Sequence, residues 1–176
     1  FDQITHQHLN LYSLKSISKL LAFYNLEIKK FEYDKEFYGT IRLMVKKSKN
    51  KRIYQLNRTA KEIKLKFINF KKYHFHLNNI LKTIKKPLYG FGAGITVPIL
   101  NYFMPEIDKV EYFIDHNKEK NNKYFLNMSP QIRNVKDLNN NNSYLITSIS
   151  TESTLKLICK KFIEEKIDFI VPRYKI

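Results

Sequence analysis

Three of the chain's four glycines fall within five residues, at Gly90, Gly92 and Gly94. They close a short apolar run, Leu88 to Gly90, and stand just ahead of a helical pattern from Thr96 to Phe103. A strand that enters a helix through such a turn needs positive φ and the absence of a Cβ. The turn also aims backbone N–H groups at the positive end of the helix, where a phosphate would sit. Few local patterns constrain a fold as tightly.

Beyond Pro87 short apolar strands alternate with helices. Leu88 to Gly90, Val110 to Asp115, Tyr144 to Ser148 and Ile167 to Val171 read as strands, with helices at about Thr96–Phe103 and Thr151–Glu165. The alternation predicts an α/β domain over 87–176: a Rossmann-like parallel sheet with flanking helices. Asp115 ends the second strand, about twenty residues past Gly94, where a Rossmann unit keeps the acid that bonds ribose hydroxyls. The spacing departs from G-x-G-x-x-G, because Ile95 stands where the third glycine belongs, and Pro98 in the first helical turn shortens any N–H cradle. Two readings stay open: a nucleotide site using Gly90, Gly92, Gly94 and Asp115, or a tight turn that binds nothing.

Upstream the pattern differs. Ser13 is an N-cap for a helix carrying Leu14, Ile17, Leu20, Leu21 and Tyr24, and Asn25 is its stop. Leu26–Tyr33 and Ile41–Val45 read as a hairpin turning at Gly39, followed by a basic hinge at Lys46–Arg52. Apolar positions from Leu56 to Ile84, with His74 in the one gap, predict a long helix. It could dock on another surface or pair with a second copy as a coiled coil; phenylalanine is a poor seam residue, which favours docking. The expected organisation is therefore 1–52, a connecting helix over 53–86, and 87–176.

The net charge of +16, from 32 Lys and Arg against 16 Asp and Glu, raises nucleic acid as a partner. The excess is mostly lysine, however, and accompanies a surplus of Asn, Ile, Tyr and Phe, all with A/T-rich codons. With the basic residues spread along the chain and no nucleic-acid-binding signature, that partner is disfavoured. No run of about 18 apolar residues occurs, so no membrane span is expected. The single cysteine, Cys159, is expected to be buried beside Leu155, Ile158 and Phe162; it fits a reducing, cytoplasmic setting. The opening residues read as the middle of a domain.

That opening, Phe1-Asp2-Gln3-Ile4-Thr5-His6-Gln7-His8 leading into Leu11-Tyr12-Ser13-Leu14, resembles a signature of sugar C-methyltransferases, an aromatic-Asp-x-x-x-His-Glu-His stretch before an aromatic-Ser-Leu helix. Tyr38-Gly39-Thr40-Ile41-Arg42 resembles their hairpin. Leu100-Asn101-Tyr102, Val110 to Asp115, Ser129-Pro130 and Phe169-Ile170-Val171-Pro172 follow in the family's order. The resemblance covers nearly the whole chain.

It implies that the first segment is the tail of a class I methyltransferase domain dependent on S-adenosylmethionine (SAM), and that the rest is the family's Rossmann-like C-terminal domain. The substrate would be a nucleotide-linked deoxysugar, methylated on carbon, with Asn101 beside the glycines and Asp115 as candidate substrate contacts. His8 would be the base, since removing a proton beside a ketone suits an imidazole near neutral pKa. Gln7 stands where the family keeps an acid, and Thr5 where an aromatic residue is common. Lys86-Pro87-Leu88-Tyr89 precedes Gly90 without the acid of a methyl-donor site, so the SAM site and the family's zinc-binding region are expected upstream. His6 and His8 could also be an exposed structural pair; with no third histidine or cysteine set nearby, no metal site is expected in this chain. His74 and His76 are read as packing or surface residues. A homodimer is open as the assembly, and a non-catalytic nucleotide-sugar module is the alternative function.

Overall fold

The computed structural model describes residues 12–37, 40–50, 52–55, 59–134, 138–149 and 151–173. They form two compact units. The first contains the described part of Gln3–Lys64 with Thr151–Ser153, the second the described part of Leu65–Ser150 and Thr154–Ile176.

In the first unit, α1 (Leu14–Phe23) begins as the capping pattern requires. The Ser16 amide donates to Ser13 Oγ at 3.1 Å and the Ser13 amide to Ser16 Oγ at 2.8 Å, so two otherwise orphaned N–H groups are satisfied reciprocally. Asn25 takes φ 55° and ends the helix. The strands β1 (Leu26–Asp34) and β2 (Thr40–Lys47) pair antiparallel from Leu26 opposite Lys47 to Asp34 opposite Thr40, with a bulge between Ile28 and Lys30. The expected turn at Gly39 lies outside the described residues. Tyr54 comes back to α1, its amide donating to Ser18 Oγ at 3.1 Å.

The long helix α2 (Ala60–Thr83) crosses from one unit into the other. Its second half buries His74, Leu77, Asn78 and Leu81. His74, 1% exposed, lies with Nδ1 2.9 Å from the Phe70 carbonyl oxygen; that oxygen can only accept, so Nδ1 carries the proton. The histidine that breaks the apolar repeat is thus a packing residue.

The second unit is built on five parallel strands, β3 (Leu88–Phe91), β4 (Tyr112–Ile114), β5 (Gln131–Arg133), β6 (Ser143–Ile146) and β7 (Asp168–Ile170), ordered β5-β4-β3-β6-β7. Numbered within the unit this order is 3-2-1-4-5, that of a Rossmann sheet. Side chains alternate between faces. Phe113, Ile132 and Leu145 join the buried residues of α2 and of α3 (Thr96–Phe103) on one side. Phe91, Ile114 and Tyr144 meet Phe162 of α4 (Glu152–Glu164) on the other. Cys159 is half-buried on α4, a correction to the expected burial.

Sequence reading missed β5, where Ile132 is the one buried residue of three and Pro130 precedes it. Its outer edge is occupied: the Ile132 amide donates to the Lys123 carbonyl and the Asn122 amide to the Ile132 carbonyl, both at 2.8 Å. The edge is thereby closed to another strand.

Phe113 and Leu145 are fully buried at the centre of the sheet. Phe113→Ala and Leu145→Ala should each cost about 2–5 kcal/mol in chemical denaturation followed by circular dichroism, whereas Cys159→Ser should cost under about 1 kcal/mol. Equal effects would contradict this account of the core.

Candidate functional site

In a 3-2-1-4-5 sheet the crossovers leave β3 and β6 in opposite directions, which opens a crevice at the carboxyl ends of these two strands. The glycine turn sits there. Phe91 ends β3, Gly92 takes φ 93°, and its amide donates to the Ile114 carbonyl at 2.9 Å. From β6, the Thr147 amide donates to the Phe91 carbonyl at 2.9 Å, and Thr147 Oγ1 donates to the Gly92 carbonyl at 2.5 Å. Thr96 Oγ1 on α3 closes the circuit by donating to the Thr147 carbonyl at 3.0 Å.

This closure explains the glycines by packing. A Cβ on Gly92 would overlap the Ser148 carbonyl group, its carbon being only 2.8 Å away, and the positive φ adds its own penalty. A Cβ on Gly94 would collide with the Ser148 side chain, where Cβ is 2.8 Å away. Gly90 has a different neighbour: a Cβ there would drive into the Phe113 ring, with Cε1 at 2.6 Å. Gly90 therefore belongs to the core, and Gly92 and Gly94 admit the chain's own β6–α4 connection.

Asp115 is brought to the same turn. Its Oδ2 accepts from the Ala93 amide at 3.1 Å and from Lys120 Nζ at 2.8 Å, and its Oδ1 accepts from the Asn117 amide at 2.8 Å. Lys120 Nζ also donates to the Ala93 carbonyl at 3.0 Å. Burial would raise the Asp115 carboxyl, but the Lys120 hydrogen bond, the Asn117 amide, the Lys120 charge and the Ala93 amide outweigh it and hold the pKa below the ordinary 3.8. The acid read from sequence as a ribose contact is spent on the protein's own backbone and ammonium.

Asn101 is not brought to this edge. It lies near the end of α3, six residues past Ile95 and so roughly 9 Å along the helix axis from its start. It is half-buried, with Oδ1 enclosed and without a hydrogen-bond partner among the described residues. His8, with His6, Gln7 and Thr5, lies outside the described residues. Thr147 and Lys120, which hold the turn, went unseen in the sequence because neither belongs to a glycine or acidic pattern. Among the described residues no group of three or more His, Cys, Asp or Glu side chains could hold a metal ion, and no helix is long and apolar enough to cross a membrane.

Gly92→Ala should lose about 2–5 kcal/mol, from a side chain at positive φ together with overpacking against fixed backbone. Gly94→Ala should lose less, because its φ is not positive and it meets the Ser148 side chain where Gly92 meets backbone; thermal melts that reverse this ranking would refute the packing account. For Asp115, whose folded pKa lies below its unfolded one, stability is fully present above the ordinary carboxylate value and drains as pH falls through the lowered one. Acid denaturation of Asp115→Asn should therefore lack part of the wild-type loss that sets in as pH falls below the ordinary carboxylate value of about 4. Superimposable acid limbs would remove the role given to this carboxylate.

No family model matches the chain, and no curated protein matches it.

Proposed function

We propose that the chain is the C-terminal portion of a SAM-dependent methyltransferase acting on a carbon of a nucleotide-linked deoxysugar. Its Rossmann-like domain shapes the substrate cleft; it does not hold the methyl donor. The observation that carries this reading is where the family-like segments fall on the fold. The glycine turn joins β3 to α3, and Leu100-Asn101-Tyr102 lies on α3. Val110 to Asp115 spans β4, Ser129-Pro130 leads into β5, and Phe169-Ile170-Val171-Pro172 runs through the end of β7. Segments spaced over some 80 residues thus fall on the strands, the first helix and the connections of one sheet.

The turn itself does not fit SAM or a dinucleotide pyrophosphate. Ser148 fills the approach to Gly92, and the Ala93 amide is engaged by Asp115. The donor and the family's zinc are therefore assigned to sequence preceding this chain, and the base role to His8. Placing this domain in the cytoplasm, as part of an intracellular biosynthetic enzyme, follows from the same reading.

The isolated chain should accordingly show no micromolar binding of SAM by calorimetry. Micromolar affinity would overturn the assignment of the donor site upstream.

One feature favours the second reading, a non-catalytic nucleotide-sugar module. The amides of Gly94, Ile95 and Thr96 take no acceptor among the described residues, and they open α3 beside Ser148. Such a start could receive a phosphate. Titration with uridine diphosphate separates the two: submillimolar binding weakened by Ser148→Ala favours the module, and no binding at millimolar ligand removes it.

A further inference from the structure

The second half of α2 carries a surface that the reading above leaves unused. From Leu65 to Thr83 the helix has four lysines, at 66, 71, 72 and 82, and no acidic residue. Phe67, Lys71 and Phe75 follow at four-residue steps and Lys82 seven residues later, so all four lie along one side of the helix over roughly 22 Å. Phe75 is 67% exposed and Phe67 41% exposed, with the Lys71 ammonium 5.1 Å from the centre of the Phe67 ring. At the lower end the stripe runs into a cavity of about 420 Å³ that Lys82 shares with Lys85, Lys86 and Lys109. Glu106 and Glu111 also line it; Glu106 is paired with Lys109 at 2.8 Å, and Lys86 pairs with Asp168 at 2.5 Å.

We propose that this alternating aromatic and lysine stripe is a docking surface for single-stranded nucleic acid, bound without sequence preference. Charge complementarity selects a polyanion, because a helix side with lysines and no carboxylate repels a second copy of itself. Of the exposed apolar residues here, Phe67 and Phe75 are separated by Lys71 on the lysine side while Leu65 and Ile80 point the opposite way, so no continuous apolar face is offered to a bilayer. A single strand fits both features. Its phosphates pair with Lys71 and Lys82 while an unstacked base lies against the exposed Phe75 ring, which a duplex could not offer.

The test uses the full chain and a fluorescent oligothymidylate of about 20 nucleotides in anisotropy titrations. Binding is expected at micromolar protein in about 50 mM salt and should weaken at least about tenfold in about 200 mM salt. Phe75→Ala, at an exposed site that leaves the fold intact by circular dichroism, should weaken it at least about fivefold. The pair Lys71→Gln and Lys82→Gln should do the same, whereas the charge-matched pair Lys156→Gln and Lys160→Gln on α4 should leave it within about twofold. Absence of saturable binding at low salt would overturn the proposal, as would indifference to Phe75→Ala. Equal losses from the two lysine pairs would overturn it in favour of diffuse attraction to a basic protein. Binding to phosphatidylserine vesicles without binding to the oligonucleotide would overturn it in favour of a lipid surface.

Discussion

The parallel sheet depends on how closely the end of β6 can approach the end of β3. A single missing Cβ at Gly92 sets that distance, because it lets the Ser148 backbone lie against the turn while Thr147 bonds the Phe91 and Gly92 carbonyls. These contacts join the two halves of the sheet where its winding reverses. On either side the strands are only three or four residues long, so few ladder bonds hold each neighbour in register. A direct, buried junction at the centre compensates for short strands at the edges.

The same junction decides what the crevice can do. In a dinucleotide site the turn amides, the following helix start and the acid of the second strand are left open for a ligand. Here the Ala93 amide, the Asp115 carboxylate and the Lys120 ammonium satisfy one another. The geometry of a nucleotide-binding fold persists while much of its binding capacity is used to hold the fold. That division accords with the proposal that this domain frames a substrate cleft and does not itself hold the methyl donor.

Much of this architecture was legible in the sequence. The limits of α1 followed from Ser13 and Asn25, those of α3 from the glycines before Thr96 and the end of the apolar run at Phe103. The alternation after Pro87 gave four of the five parallel strands. The fifth was hidden because Gln131 and Arg133 flank a single apolar residue, which leaves no apolar run to mark a strand. Lys120 and Thr147 were hidden for a related reason: their importance lies in which carbonyl or carboxylate they reach, and only tertiary placement decides that. Asp115 was found at its proper position by spacing, but spacing could not reveal that Ala93 and Lys120 already occupy its oxygens.

Backbone conformation divides labour between two residue types. The left-handed positions among the described residues are Asn25, Asn122, Asn127 and Lys166, with Gly92 the one glycine among them. Asparagine, plentiful in this chain, thus serves most of the places where other proteins spend glycine for its φ alone. Glycine is released for positions where the side chain itself would have no room. Among the described residues a glycine consequently marks crowding instead of flexibility, against backbone at Gly92 and against side chains at Gly90 and Gly94.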